Sequence, residues 1–506
     1  MKWKNIRSST LVLMAVIVIS KLIGLLRDIF LANYFGTSSV SDAYLIAISV
    51  PTLLFYFIGH ALSTAYLPMY NKVRHEKGDE AAEHYSNNLM CISLGIATLI
   101  VVLLVVFPQT VIKIFAAGFD AETAGLAAKF IRTGAVSLYC MVIVNIWSGY
   151  LQARGNYLIP AAVSLPRNAV IIVSIVIASC THLAVLGLGI LFAYIAEFIF
   201  LLPFALRNGY RIRPRIDWSD RDIRETLYLV LPILLGVAVS QINKIVDKSI
   251  ASTITAGGIS ALSYASVINN AVQEVAVTGI ITVLFADCSA LAAAGEHQKV
   301  KERLTKTVDT MVFLLLPMSI GIIILAEPIV SLFFLRGNFD FESVALTASA
   351  LRCYTAGLAF LAVRDTFVKV FYAYKNTKVT TASSIAAIIL NIILNFLLSR
   401  FLGVSGLAAA TSIAAVAQCI FLCVYFHRKQ LSLDAKKIMT HVVFSVFASA
   451  VMAALVYGLY HFLLPDSMGQ GIRVCVSVVV GAVVYIVISG VINRHRIADI
   501  FRTIIK

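Results

Sequence analysis

The stretch NLMCISLGIATLIVVLLVVF, at residues 88–107, contains no charged side chain. About 20 apolar residues in a helix cross the hydrocarbon core of a bilayer, which is about 30 Å thick. Comparable stretches recur along the whole chain of 506 residues, of which 60% are hydrophobic and 13% charged. A water-soluble fold could not bury so much apolar surface. Because the alternating pattern of a barrel is absent, the sequence predicts an all-α integral membrane protein.

Fourteen apolar segments are long enough to be transmembrane helices. They lie at about residues 9–35, 42–70, 88–107, 127–152, 158–178, 183–205, 226–250, 258–292, 309–329, 343–372, 380–401, 404–426, 439–462 and 472–493. The first follows basic residues as a signal peptide would, but its length predicts a helix that stays in the membrane.

The 41 Lys and Arg residues, which help to give a net charge of +15, are distributed unevenly between the two sides of the membrane. With the N-terminus inside, 27 of them fall in cytoplasmic segments and three in outer loops, namely Lys113, Arg336 and Arg400. This positive-inside bias supports the helix count and predicts an orientation with both termini in the cytoplasm. It also accounts for the basic composition without a nucleic-acid partner.

The sequence repeats at an offset of 220 residues. The offset superimposes Pro108 on Pro328, Asp120 on Asp340, Glu122 on Glu342, Arg132 on Arg352 and Asn156 on Asn376. Helices 1–6 and 7–12 are therefore predicted to be duplicated lobes in the same orientation, followed by a C-terminal helix pair. Parallel repeats of this kind occur in alternating-access transporters.

The predicted domains are an N-lobe at 1–206, an interfacial amphipathic linker helix at 207–225, a C-lobe at 226–427 and helices 13 and 14 at 428–506. The linker carries Trp218 and six arginines, which suit lipid headgroups at the inner leaflet. No loop is long enough for a soluble catalytic domain, so the prediction is a transporter and not an enzyme. The eight cysteines are scattered through apolar helices and predict no cofactor.

Charged residues inside the membrane are functional candidates, because insertion of each costs about 2.5–3.5 kcal/mol at the bilayer centre. Helix 1 carries Lys21, Arg27 and Asp28, and Asp42 opens helix 2 at the same outer level. Two hypotheses follow for Arg27. It binds substrate, or it pairs with Asp42 or Asp28 and locks the corner between helices 1 and 2.

Helix 7, the repeat partner of helix 1, carries Lys244, Asp247 and Lys248. Basic residues from equivalent helices of both lobes would make a central cavity cationic. Such a cavity suits an anionic headgroup, above all a phosphate or pyrophosphate.

Other charges at membrane depth have competing explanations. Arg132 and Arg352 lie near the outer ends of helices 4 and 10, where long side chains snorkel to the interface. Glu197, His60 and Glu274 occur singly, as proton relays or as interhelical hydrogen bonders. Prolines inside several helices could provide bends.

The opening of the chain resembles that of a known family. Ser20-Lys-Leu-Ile-Gly-Leu-Leu-Arg-Asp28, Tyr34-Phe-Gly36, Ser41-Asp-Ala43 and Ala61-Leu-Ser63 are similar to the lipid II flippases (MurJ/MviN) of the multidrug/oligosaccharidyl-lipid/polysaccharide exporter superfamily. The similarity continues through Ser240–Asp247 and Phe371–Thr377 and covers essentially the whole chain.

The resemblance implies export of an undecaprenyl-pyrophosphate-linked peptidoglycan precursor from the inner to the outer leaflet. It implies substrate-binding roles for Lys21, Arg27, Asp28 and Asp42, to which the charge pattern adds Lys244. It also implies a groove for the lipid tail in the second lobe, formed with helices 13 and 14. Partners implied are the lipid-linked glycan, membrane lipids and the cell-wall synthesis machinery.

Sodium binding in some members of the family implies a coupling-ion site. Asp247, Asn391, Asn395 and Thr411 fall at the matching places. Asn391 and Asn395 are four residues apart and share a helix face, and their oxygens suit a hard cation. Two asparagines on a membrane helix could equally join neighbouring helices. Membrane potential is the other candidate energy source.

The chain departs from the family at two places. Phe55-Tyr56 stands where the family has an arginine, and Ser266-Val267 stands where it has an Asp-Arg pair. These departures keep one alternative open, a flippase for another lipid-linked glycan of capsule, exopolysaccharide or teichoic type. A second alternative on the same architecture is a cation-coupled small-molecule exporter, which would need carboxylates rather than bases in the cavity.

Overall fold

The computed structural model describes residues 3–214, 216–429, 435–465 and 467–492, and these form helices joined by short turns, with no strand among them. The first nine helices are α1 (Trp3–Phe35), α2 (Ser39–Lys77), α3 (Asp79–Val106), α4 (Pro108–Phe115), α5 (Ala121–Ala135), α6 (Ser137–Ala153), α7 (Leu158–Ala162), α8 (Ser164–Cys180) and α9 (Ala184–Arg207). The rest are α10 (Arg221–Ile254), α11 (Gly258–Ala293), α12 (His297–Ile324), α13 (Ala326–Phe334), α14 (Phe341–Ala356), α15 (Leu358–Ala373), α16 (Thr377–Leu402), α17 (Val404–Lys429), α18 (Ala435–Gly458), a π-helical turn (Leu459–Leu463) and α19 (Gln470–Ile492).

Each predicted apolar segment coincides with one helix or with consecutive helices. Among the described residues, ten helices are long and apolar enough to cross a membrane, and twelve if each of two bent pairs is one span. The prediction of an all-helical, multi-span protein is confirmed. Several helices extend beyond the apolar pattern, as α3 does at its start, because the added turns are polar and lie outside the hydrophobic stretch.

Two predicted helices, 127–152 and 343–372, are each divided into two. The pair α5 and α6 bends by 44°, and the pair α14 and α15 bends by 41°. At the second bend the hydroxyl of Ser412 donates to the carbonyls of Cys353 and Tyr354 at 2.6 and 3.2 Å. A side chain from another helix thus satisfies carbonyls beside the break, and no proline stands there.

The repeat is visible in helix caps. Asp120 accepts a hydrogen bond from the backbone N–H of Thr123 at 2.8 Å, and Asp340 accepts one from that of Ser343 at the same distance. Hydrogen bonds from the Thr123 side chain and backbone lower the pKa of Asp120, and those from the Ser343 backbone and side chain lower the pKa of Asp340. Equivalent residues therefore begin equivalent helices in the same way.

The repeated arginines also make equivalent contacts. Arg132 donates through Nε to the carbonyl of Val105 at 3.2 Å, and Arg352 donates through Nε to that of Ile323 at 3.4 Å. Each arginine satisfies a carbonyl at the C-terminal end of a preceding helix. This contact gives the two side chains a structural role.

The chain divides into two compact units. Unit 1 comprises Met1–Ser260 and Arg336–Phe339, and unit 2 comprises Ala261–Leu335 and Asp340–Lys506. Helix α10 packs on α2 inside unit 1. In unit 2, α18 and α19 pack on α12 through a cluster that includes Phe313, Met452 and Tyr485.

The segment between α9 and α10 is not the predicted linker helix. Asn87 accepts from the backbone N–H of Arg213 at 3.1 Å and donates to the carbonyl of Arg211 at 2.9 Å. Asn88 makes the same pair of contacts with the backbone of Asp217, at 2.8 and 2.9 Å. The two amides of α3 take the backbone groups that a helix would need, so the described residues from 208 to 220 form a loop.

Candidate functional site

The charged set of helix 1 forms an ion pair. Arg27 donates to Asp28 Oδ1 through Nε at 3.0 Å and through Nη2 at 2.7 Å. Its Nη1 lies 3.4 Å from the Oδ1 atom of Asn168 on α8. Of the two predicted partners, Arg27 therefore pairs with Asp28. The Asp28 side chain is 8% exposed and that of Arg27 is 28% exposed, so the guanidinium remains accessible.

Arg27 opens onto a cavity of about 330 Å³, here called cavity A, between α1, α7 and α8. Cavity A is lined by Ile17, Ser20, Lys21, Gly24, Arg27, Ala161, Ser164, Arg167 and Asn168. Lys21, Arg27 and Arg167 all line the cavity, and no carboxylate is among the described residues that line it, so its wall is basic. An anionic ligand is the group that this wall suits.

Asp42 makes a different kind of contact. Its carboxylate is buried and accepts hydrogen bonds from the backbone N–H of Gly257 at 2.9 Å and of Ser260 at 2.7 Å. A carboxylate in this place caps the N-terminus of α11, where the helix dipole favours negative charge. Both oxygens are engaged, so the contacts of Asp42 are with the protein backbone.

The charged residues of α10 are arranged along one stretch of that helix. Lys248 donates a hydrogen bond to the hydroxyl of Ser49 on α2. Lys244 lies one turn earlier and is exposed. Asn243 donates to Asp247 Oδ2 at 3.3 Å. Lys248 thus ties α10 to α2, and Lys244 is the more accessible cation.

Glu197, predicted to occur singly, has a partner that the sequence analysis missed. Its carboxylate lies 3.0 Å from Nη1 of Arg167, and the guanidinium of Arg167 lies 5.6 Å from the ring centroid of Tyr194. The Glu197 side chain is 4% exposed and that of Arg167 is 30% exposed. Opposite charges at membrane depth in consecutive helices were the available signal, because buried charges pair.

Arg167 also lines a second cavity, of about 340 Å³, here called cavity B. Cavity B is lined by Phe55, Leu67, Met141, Val144, Asn145, Ser148, Gly149, Gln152, Pro160, Val163, Ser164, Arg167, Tyr194 and Glu197. Phe55, which stands where the family has an arginine, therefore shares this cavity with Arg167.

Three of the four residues predicted for sodium meet in unit 2. Asn395 donates to Asn391 Oδ1 at 2.9 Å, and Asn391 Nδ2 lies 3.3 Å from Thr411 Oγ1. Both asparagines are buried. Asp247, the fourth, belongs to unit 1. The three neutral side chains fit a hard cation by oxygen type. Among the described residues, no three His, Cys, Asp or Glu side chains gather as a metal cluster.

A second charge pair that the sequence analysis missed lies on α15. Arg364 pairs with Asp365 at 2.6 Å on α15, and Gln273 Nε2 lies 3.3 Å from the Oδ2 atom of Asp365. Adjacent charges on a predicted membrane helix were the available signal.

His60 was predicted to be a proton relay or an interhelical hydrogen bonder. The side chain of His60 lies outside the described part of the chain.

Unit 2 contains an apolar cavity of about 490 Å³, here called cavity C. Helices α11, α12, α13, α18 and α19 surround it, and its wall includes Phe313, Met452 and Tyr485. This wall suits a hydrocarbon ligand.

The repeated helices, the membrane spans and the buried charge pairs beside cavities define a polytopic membrane transporter. Comparison with known proteins identifies its family. Residues 31–477 match the family model of the lipid II flippase MurJ. The chain is 30% identical to the probable lipid II flippase MurJ of Thermotoga maritima over 96% of each chain. It is 26% identical to the one of Vibrio cholerae, over 89% of this chain and 88% of that protein.

Solved structures agree with this match. One described as lipid II flippase MurJ in an inward closed conformation superimposes with a TM-score of 0.83 at 26% identity, and covers 96% of this chain and 100% of that one. An inward-facing MATE family transporter of the MOP superfamily shares the fold, with a TM-score of 0.66 at 15% identity over 85% of this chain and 98% of that one. The chain belongs to the MurJ family, and it is a multi-pass protein of the bacterial inner membrane.

Proposed function

We propose that this protein is a lipid II flippase, which moves the undecaprenyl-pyrophosphate-linked peptidoglycan precursor from the inner to the outer leaflet by alternating access. The observation that carries the proposal is cavity A, where Arg27 is held by Asp28 and Asn168 beside Lys21. Held in this way, the guanidinium is oriented before a phosphate arrives, which reduces the entropic cost of binding. The identity of the substrate, lipid II, is inferred from membership of the MurJ family.

The site residues are assigned from their contacts. Lys21 and Arg27 bind phosphate oxygens, and Asp28 orients Arg27. Lys244 is exposed on α10 and is not among the residues that line cavity A, so its role rests on the charge pattern of the sequence alone. Asp42 has a structural role, because both of its oxygens accept backbone hydrogen bonds.

The lipid tail is assigned to cavity C. An alkyl chain that moves from the bilayer into an apolar wall leaves no polar group unsatisfied, and van der Waals packing holds it there. The cavity has a volume of about 490 Å³, so it takes part of the chain while the remainder stays in the bilayer.

Fourteen membrane spans in two parallel lobes, with both termini in the cytoplasm, complete the proposal. Beyond the ten to twelve spans recognised by length and composition, α1 has 33 residues and α10 has 34. At a rise of 1.5 Å per residue each is about 50 Å long, more than the bilayer core requires. The positive-inside bias supports the orientation.

Sodium is proposed as a coupling ion bound by Asn391, Asn395 and Thr411 of unit 2, with membrane potential as the other energy source. If sodium binds, its addition should raise the melting temperature of the native protein and leave that of Asn391→Leu unchanged. Potassium is the control salt. If sodium raised the melting temperatures of the native and Asn391→Leu proteins equally relative to potassium, the sodium assignment would be wrong.

Transport is tested in two ways. The host's lipid II flippase is replaced with this chain, and purified protein in liposomes is assayed with fluorescent lipid II. Growth and flipping are expected, and Arg27→Ala should abolish both. Arg132→Gln is the matched control, because Arg132 contacts a backbone carbonyl outside cavities A and B. Good expression without growth or flipping would favour another lipid-linked glycan, the alternative suggested by Phe55 and Val267.

A further inference from the structure

We propose that Arg167 binds the headgroup where its pyrophosphate joins its first sugar, and that Glu197 is the positioning residue that holds Arg167 there. The proposal rests on the proposed function and extends it. It adds a binding residue outside the charged set of helix 1.

The first step is the position of Arg167 between two cavities. Ser164 and Arg167 both line cavity A and cavity B. They are three residues apart on α8 and therefore lie on the same helix face. A ligand that occupies both cavities must pass this face of α8.

The second step is the contrast between the two walls. Cavity A presents the cations Lys21 and Arg27 and suits an anion. Cavity B presents the neutral polar side chains of Asn145, Ser148 and Gln152. These side chains donate and accept hydrogen bonds, as the hydroxyl and amide groups of a sugar require.

Aromatic rings complete the wall of cavity B. Phe55 and Tyr194 line it beside Arg167 and Glu197. Ring faces pack against the apolar C–H groups of a pyranose, while polar neighbours bind its hydroxyls. Each cavity, at about 330 to 340 Å³, is at the lower end of the range for small-molecule sites. Each is therefore suited to one group, phosphate in cavity A and a sugar ring in cavity B.

The third step is the state of the Arg167 side chain. Its contact with Glu197 is made through Nη1, and the ring of Tyr194 lies beside the guanidinium. An arginine has five N–H donors in a planar fork, so donors remain for a phosphate oxygen and a sugar oxygen together. The side chain of Glu197 is almost fully buried, which fixes one end of the pair.

A purely structural pair between α8 and α9 is the competing explanation, and ligand selectivity separates the two. Full-length protein in nanodiscs is titrated with lipid II and with undecaprenyl pyrophosphate, which lacks the sugars. The variant is Arg167→Gln with Glu197→Gln, which removes both charges and leaves no buried ion unpaired. Arg132→Gln is the control.

The double variant should bind lipid II at least about tenfold more weakly, as expected for loss of a charge-assisted hydrogen bond. Its affinity for undecaprenyl pyrophosphate should fall by a clearly smaller factor. Glu197→Gln alone should lower the ratio of the affinity for lipid II to the affinity for undecaprenyl pyrophosphate. A loss of stability would not change this ratio. Equal affinities for native and double variant, or equal losses for both lipids, would overturn the proposal.

If the double variant melts well below the native protein, Arg167→Lys decides. Lysine keeps the charge opposite Glu197 but lacks the planar fork. A folded Arg167→Lys protein should keep its affinity for undecaprenyl pyrophosphate and lose affinity for lipid II, and unchanged lipid II binding overturns the proposal. Native protein that binds neither lipid would refute the proposed function itself, whereas native binding matched by all variants would refute this subsite alone.

Discussion

Replacing Asp42 with alanine should destabilise unit 1 by about 3–6 kcal/mol. The carboxylate is 1% exposed and accepts two backbone hydrogen bonds, from Gly257 at 2.9 Å and Ser260 at 2.7 Å. A hydrogen bond to a charged group contributes about 1.5–3 kcal/mol, and two buried N–H groups would lose their acceptor. Asp42→Asn keeps one acceptor oxygen without the charge, so its cost should be intermediate.

The measurement is the melting temperature of detergent-solubilised protein. A loss of 1 kcal/mol lowers the melting temperature by about 2–4 °C for a domain of 150–250 residues, so Asp42→Ala should melt at least about 6 °C lower. Asp120→Asn is the matched control, because asparagine and aspartate are comparable N-caps and Asp120 is exposed. An Asp42→Ala protein that melts at the same temperature as this control would refute the capping argument.

Three further predictions concern other contacts. Gly118→Ala should lower thermal stability, because its Cβ would meet the backbone of α10, whereas Gly125→Ala meets nothing within 4 Å and should preserve or slightly raise it in the same melting assay. Ser412→Ala should cost about 1–2 kcal/mol by leaving carbonyls beside the α14–α15 bend without their donor, as read by melting against Ser412→Thr. The lowered pKa values of Asp120 and Asp340 contribute stability that is present above the usual value of 3.8 and lost as pH falls below it. Between pH 5 and about pH 3, the melting temperature of the native protein should therefore fall further than that of the double variant Asp120→Asn with Asp340→Asn. Parallel curves of melting temperature against pH would contradict the cap geometry.

The spans could be predicted from sequence because the bilayer imposes them locally, and the repeat could be predicted because polar residues match at one offset. Every backbone polar group in hydrocarbon must be satisfied within its own segment, so an apolar stretch of sufficient length specifies a helix without reference to the rest of the chain. The caps formed by Asp120 and Asp340 were not predicted, although they too are local, since each residue bonds to one only three positions away.

The pairings were decided by tertiary structure. Arg27 had two candidate partners, and the sequence left the choice between Asp28 and Asp42 open. Asp42 instead reaches Gly257 and Ser260, more than two hundred residues away. Such contacts depend on which helices pack together, which apolar patterns do not specify.

The linker between α9 and α10 and the Arg167–Glu197 pair were also decided by tertiary contacts and not by local sequence. The composition of residues 207–225 suggested an amphipathic helix, but Asn87 and Asn88 of a distant helix bind the backbone there and hold it in a loop. Glu197 looked solitary until the fold placed Arg167 beside it. The sequence by itself determined the membrane helices, their repetition and the kinds of charge they carry, because those follow from local hydropathy and offset. Only the tertiary structure decided which charges neutralise one another and which face a cavity, because that depends on distances between helices far apart in the chain.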